Sequence, residues 1–309
     1  MTIEVKQNYI KSPLNYIGGK YRLLGQILPL FPQKIKTFFD LFAGGCNVGI
    51  NTDAASLCFN DNLTYLVDMY KAFLEKGMYR TLDHVEKRIF EFDLSKTNRD
   101  GYLKLRKLYN IKRDPLDLFV LIAYSFNHQI RFNNLHDFNN PFGTNKSSFN
   151  NNMRNNLISF ISRLEACDVY FSDKRFQDFD FTQITEDDFV YCDPPYLITT
   201  GTYNDGRRGF GGWSDTDEYQ LLAVLDNLHK KSVRFALSNV LLHKGKFNYI
   251  LNDWLDKNPA FCVNHINYNY SNSNYQTLVR DVSATKEVLI TNYKPDIRSE
   301  KDLFSCLEY

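Results

Sequence analysis

The chain has 309 residues, enough for one large domain or two modest ones, so core size sets no limit. A formal net charge of +1 gives no global field for a nucleic acid, and any polyanion would have to meet a local patch. Apolar residues make up 43%, yet no run reaches the roughly 18 residues of a membrane span, and Met1 to Lys20 lack the apolar stretch of a secretory signal. A cytoplasmic protein with no membrane partner is the expectation. Six cysteines stand singly at 46, 58, 167, 192, 262 and 306, without CxxC or zinc-like Cys/His spacing, so free thiols and no metal site are expected. The 25 Phe and 20 Tyr predict an aromatic-rich core rather than a stacking surface.

In chain order, "NYIGGK" (15–20) is a turn-like glycine pair. Leu23, Leu24, Ile27 and Leu28 follow at helical spacing, and Pro29 and Pro32 end that helix. "KTFFDLF" (36–42) reads as a buried strand and "AGGCN" as the turn after it. A short helix is predicted over 48–55, then a second strand, "SLCFND" (56–61), ending in an acid. Residues 64–128 carry helical periodicity, and "PLDLFVLIAYSF" (115–126) is apolar almost all round. The Asn-rich stretch 131–156 has no periodicity and predicts a long surface loop, with interleaved Phe, Arg and Lys that favour a functional one. Strands are predicted at 168–173, 188–193 and 233–239. A capping box at Ser214 to Asp217 opens a helix, another helix covers 246–257, and "TLVRDVSATKEVLITNY" predicts an antiparallel hairpin at the sheet edge. One α/β domain with a helical-plus-loop insertion from about 63 to 165 results.

Two loops carry chemistry. Phe42-Ala43-Gly44-Gly45 follows a buried strand, where paired glycines let a ligand lie against the backbone. Asp61, at the end of the next strand, is placed to accept hydrogen bonds from the ribose hydroxyls of a nucleoside cofactor. Without GxGxxG, the turn suits a nucleoside lacking phosphates. The second loop is Asp193-Pro194-Pro195-Tyr196, where a strand stops at two residues that have no backbone donor. The Asp193 carboxylate and the Pro194 carbonyl are two acceptors suited to the two N–H bonds of an exocyclic amine. Gripping them turns the nitrogen lone pair outward from its ring, and Tyr196 can stack on that ring.

With "NYIGGK", "FDLFAGG", "CDPPY" and "EVLITNY" in this order, the chain resembles the Dam-like, D12-class (alpha group) adenine-N6 DNA methyltransferases over most of its length. The resemblance implies a Rossmann-like seven-stranded sheet with an antiparallel edge hairpin. Residues 1–62 and 166–309 would form the catalytic domain, and 63–165 the target-recognition insertion. It implies S-adenosylmethionine as methyl donor, double-stranded DNA as partner, and a modification role alongside a cognate restriction endonuclease. Tyr16, Lys20, Phe42, Ala43, Gly44, Gly45 and Asp61 are implied to hold the donor, together with Asp193 and, less cleanly, Asp173, since Arg175 stands where many relatives carry an acid before Phe.

"FNHQIRFNNLHDFNNPFG" (126–143) lines up with the family's recognition hairpin, so Phe126, Asn127, Arg131 and Pro141 are implied to meet DNA. Phe126 falls where relatives place an aromatic wedge, and the core end of an apolar helix is an equal reading of it. Arg131 is the base-reading candidate, with a phosphate contact as its alternative. Lys146, Arg154, Arg207 and Arg208 are candidates for phosphates, and Tyr203 for the base pocket. His128-Gln129 replaces the Gly-Leu of GATC-specific members, which leaves the target site open. Two alternatives stay open: methylation of another NH2-bearing substrate, such as an RNA base or a protein glutamine, and a non-catalytic DNA-binding relative.

Overall fold

A computed structural model describes residues 9–199, 212–267 and 285–296. Its centre is a mixed sheet. Strands β1 (Thr37–Asp40), β2 (Ser56–Asn60), β3 (Asp168–Ser172), β4 (Phe189–Cys192) and β5 (Arg234–His243) run parallel. The two-residue β6 (Lys246–Phe247) folds back on β5, and β7 (Cys262–Ile266) and β8 (Thr285–Thr291) complete the antiparallel side. The order is β3-β2-β1-β4-β5-β8-β7. Chain order reverses between β1 and β4, the switch point at which open α/β sheets hold ligands outside their carboxyl ends.

Strands buried on both faces need apolar residues in both directions. Along β4, Phe189 and Tyr191 join one buried cluster, while Val190 and Cys192 join the other. In β5, Ala236 faces the first and Phe235 and Leu237 the second.

The connections are helical. The short α1 (Leu24–Ile27) precedes β1. Between β2 and β3 lie α2 (Thr64–Glu91), α3 (Arg99–Lys112), α4 (Pro115–Tyr124) and α5 (Asn151–Glu165). Gly77 breaks α2 with φ 71° and ψ 174°, a conformation that suits a residue without Cβ. α6 (Asp215–Lys230) and α7 (Tyr249–Lys257) cover the β4–β5 side. The predicted capping box is present: Ser214 Oγ accepts from the Asp217 amide at 3.2 Å, and Asp217 Oδ2 accepts from the Ser214 amide at 3.0 Å. Helices α2, α4 and α5 share one continuous core with the sheet, running from Phe38 and Phe59 to Phe119 and Phe160.

Four expectations are corrected. Residues 48–55 form only a 3-10 turn, Gly49–Asn51, because Thr52 is extended and its Oγ1 bonds back to the Val48 carbonyl at 3.0 Å. The Asn-rich stretch is not all surface loop: Phe132 and Phe138 are fully buried, and α5 has begun by Asn151 with the Asn150 side chain as its cap. The helix predicted over 246–257 starts at Tyr249, after β6. Finally, the expected antiparallel edge is present, but β8 and β7 build it in place of a tight hairpin, with β8 between β5 and β7. The predicted first strand of the hairpin, 277–282, lies outside the described residues. No described helix is long and apolar enough to cross a membrane.

Candidate active site

The glycine turn is held from three sides. The Gly44 amide donates to Asp61 Oδ2 at 2.9 Å, the buried Tyr70 of α2 donates its hydroxyl to the Gly44 carbonyl at 2.8 Å, and the Ala43 amide bonds the Asn60 carbonyl at 2.8 Å. Asp61 Oδ1 accepts from the Leu63 amide at 2.9 Å. Gly44 has φ +47°, and a Cβ there would sit 2.7 Å from Tyr16 Cε1. The Tyr16 ring therefore packs directly on the turn, which joins "NYIGGK" to "FAGG". Asn60, a residue sequence reasoning passed over, stitches three strand ends together: its Nδ2 donates to the Leu41 and Lys174 carbonyls at 3.0 and 2.9 Å. Asp173 lies just past β3 at the same edge, accepting from Thr64 Oγ1 at 3.1 Å. Phe42 meets Phe176 and Trp213, with ring centroids 5.6 and 5.7 Å away. Phe176 and Trp213 were not among the sequence candidates.

The second loop leaves β4 one strand away. Asp193 is part-buried, and its Oδ1 takes Lys20 Nζ at 2.7 Å and the Tyr196 hydroxyl at 3.1 Å. Tyr196 is also 3.1 Å from Glu287 Oε1 on β8, and Lys20 Nζ is 3.8 Å from the same atom. Lys20 lies over the Tyr196 ring, 5.0 Å from its centroid. Burial, followed by the Asp193 and Glu287 charges, pushes the Tyr196 phenol well above its usual range. Glu287 was missed by sequence reasoning; burial raises its carboxyl, with Lys20 acting in the opposite direction. Asp40, at the end of β1, is also buried, and desolvation with the nearby charges of Asp193 and Asp61 lifts its carboxyl well above the carboxylate range. The corner thus gathers Asp193 and Glu287 around Lys20, with Asp40 near enough to feel the charges of Asp193 and Asp61. Carboxylates beside a glycine turn fit a cationic nucleoside donor, and the turn at Gly44, covered by the Tyr16 ring, has no room for a side chain.

The recognition candidates lie at the other end of α4. Phe126 is 50% exposed, which removes the core reading of it. Asn127 and His128 both have positive φ, and Asn15 Nδ2 bonds the Asn127 carbonyl at 3.2 Å, tying this corner to the "NYIGGK" turn. Arg131 is exposed, and its Nε and NH2 bond Asn139 Oδ1 and O at 2.9 and 3.4 Å. Pro141 and Lys146 are exposed. The guanidinium of Arg154, a phosphate candidate, is paired with Glu86 of α2 at the surface. Tyr203, Arg207 and Arg208 lie outside the described residues. His84, Asp114 and Asp117 bring ligand-type atoms within 4.8 Å of one another, but Asp117 Oδ1 already takes His84 Nε2 at 2.8 Å and Arg88 Nε at 2.7 Å. That grouping is an ion-pair network between α2 and α4.

Comparison with known proteins agrees with this geometry. The chain is 51% identical over 288 residues to the modification methylase StsI of Streptococcus sanguinis, covering 93% of this chain and 44% of that protein. It is 49% identical over 286 residues to the type II methyltransferase M.FokI of Planomicrobium okeanokoites, covering 93% and 43%. The DNA adenine methylase of Escherichia coli (strain K12) is 26% identical over 231 residues, 73% of this chain and 79% of that one. The chain thus spans less than half the length of the first two relatives. The family model for D12 class N6 adenine-specific DNA methyltransferase matches residues 16–294. With both chemical loops inside that match, the chain belongs to the D12 class of N6 adenine-specific DNA methyltransferases.

Proposed function

We propose that this chain methylates N6 of an adenine rotated out of double-stranded DNA. The observation that carries the reading is the juxtaposition, at the β1/β4 switch point, of the Asp193–Tyr196 loop with the glycine turn tied to Asp61. Asp193 and the Pro194 carbonyl take the two N–H bonds of the amine, which draws its lone pair out of conjugation. Pro194 and Pro195 keep that pair of acceptors fixed, and the Tyr196 hydroxyl, bonded to Asp193 and Glu287, fixes the ring against which the base lies. Tyr16, Lys20, Phe42, Ala43, Gly44, Gly45, Asp61 and Asp173 would hold S-adenosylmethionine. Bound there, it supplies a methyl group on a cationic sulfur that departs as a neutral thioether. The methylated nitrogen then gives its extra proton to Asp193 or to water.

Residues 1–62 and 166–309 form the catalytic unit in this reading, and 63–165 the target-recognition unit. Phe126 fills the space the base leaves, Arg131 reads a base edge, and Asn127, Pro141 and Lys146 line the duplex. Tyr203, Arg207 and Arg208 are proposed to complete that surface from the glycine-rich segment. The relative named a modification methylase, with the type II methyltransferase beside it, supports a modification role paired with a restriction endonuclease. The test is single-molecule sequencing of DNA from cells expressing the chain. Modified adenines at one recurring sequence are expected, and unmodified adenines throughout would overturn the reading.

A further inference from the structure

We propose that Glu287 is a positioning residue: the second carboxylate to which Lys20 and the Tyr196 hydroxyl turn when the target amine takes their place at Asp193. This rests on the methyltransferase reading above and assigns β8 a part in it.

Three observations carry the inference. First, Asp193 Oδ1 is already engaged by two donors, Lys20 Nζ at 2.7 Å and the Tyr196 hydroxyl at 3.1 Å. With the Tyr196 proton turned to Asp193, both lone-pair directions of Oδ1 are filled, so an amine arriving at that oxygen rather than at Oδ2 must displace one of the two donors. The ammonium also opposes the chemistry, because it draws electron density from the acceptor that must grip the amine and later take its proton.

Second, Lys20 cannot simply let go. Its side chain is 7% exposed, and a buried ammonium without a carboxylate is costly. Among the described residues its carboxylate contacts are Asp193 and Glu287, the latter at 3.8 Å, and its remaining bond is to the Gly18 carbonyl at 3.1 Å. A shift of about 1 Å converts the Glu287 contact into a charge-assisted hydrogen bond.

Third, the Tyr196 hydroxyl has one proton and two carboxylate oxygens at an equal 3.1 Å. Only one carboxylate can receive that proton at a time, so the arrangement has two states that differ in which acid is relieved. Register fixes Glu287 in place: it sits between Val240 of β5 and Ile266 of β7, and at 7% exposure it is buried from solvent. Moving both donors to Glu287 leaves Asp193 unencumbered for the amine, with the cluster's total charge unchanged.

The deciding experiment is a crystal structure of the wild-type chain with a non-reactive donor analogue and target duplex, read beside steady-state kinetics. Lys20 Nζ is expected within about 3.2 Å of Glu287 and beyond about 4 Å from Asp193. Lys20 still bridged to Asp193 with the base bound would overturn the proposal. In kinetics, Glu287→Gln should lower kcat about tenfold or more while the donor KM stays within about threefold, and Glu287→Asp should recover part of the loss. In a Lys20→Met background the same Glu287→Gln change should cost little further, because no ammonium remains to be drawn away. An equal loss in both backgrounds, or none in either, would overturn it. Thermal unfolding identifies a variant that fails to fold, and the wild-type complex then decides alone. If the wild type methylates no adenine, the methyltransferase reading falls and takes this proposal with it. If the wild type is active and Glu287→Gln matches it, only this proposal falls.

Discussion

The Gly44 amide and Asp61 Oδ2, 17 residues apart in sequence, meet at 2.9 Å and close the turn after β1 onto the strand end of β2. That contact requires a left-handed residue with no side chain, since a Cβ at Gly44 would lie 2.7 Å from the Tyr16 ring. Gly44→Ala therefore carries a backbone cost of about 1–2 kcal/mol and pushes Tyr16 off the turn. Calorimetric titration with S-adenosylmethionine should show affinity weakened about tenfold or more. Unchanged affinity would remove this turn from the donor site.

Asp40 gives a pH prediction. It is buried, its Oδ1 has no hydrogen-bond partner, and its carboxyl is raised well above the ordinary 3.8. The folded chain therefore keeps a proton that the unfolded chain releases as pH passes that ordinary value. Stability linked to this proton is full below about pH 4 and fades as pH rises towards the folded-state value. Asp40→Asn keeps the shape without the titration. Its unfolding temperature, relative to wild type, should climb as pH rises above about 4. A constant offset would mean that Asp40 is ionised in the fold.

The two chemical loops were legible because each is a local backbone event. A hydrophobic strand halted by glycines or prolines shows in six or seven letters, and both "FDLFAGG" and "CDPPY" fall where the sheet ends. Glu287 was not legible for the opposite reason. In "KEVLITNY" it resembles any polar strand residue, and its burial arises only because β8 inserts between β5 and β7. The same long-range pairing hid β7, whose "CVNHI" lacks a regular alternation of polar and apolar residues. Asp40 and Asn60 were passed over because their roles come from neighbouring strand ends, not from their own surroundings in sequence. The pairing of Arg154 with Glu86 likewise depends on α5 lying against α2.

Phe126 is half exposed, so Phe126→Ala should change stability by less than about 0.5 kcal/mol. Methylation of an intact duplex should fall about tenfold or more, and a target adenine placed opposite a gap or mismatch should lose less, because its extrusion is already cheaper. Comparing initial rates on the two duplexes checks this. Equal losses on both would deny Phe126 a wedging role.

Arg131 projects from a fork held by Asn139, which engages the Nε/NH2 side and leaves the end of the guanidinium facing out. Arg131→Ala should cost about 1–3 kcal/mol of discrimination at one base pair. Sequencing the methylated sites of that variant should show one position relaxed. A site preference identical to wild type would move Arg131 to the phosphate contacts.

The central claim is that the Asp193 corner grips an adenine amine beside a bound methyl donor. Transfer of labelled methyl to duplex DNA by wild type and Asp193→Ala, with nucleoside analysis of the product and donor binding measured in parallel, tests it most directly. The account predicts N6-methyladenine from wild type, and loss of transfer of at least about a hundredfold in the variant with donor binding retained. Near-normal transfer by Asp193→Ala would contradict it.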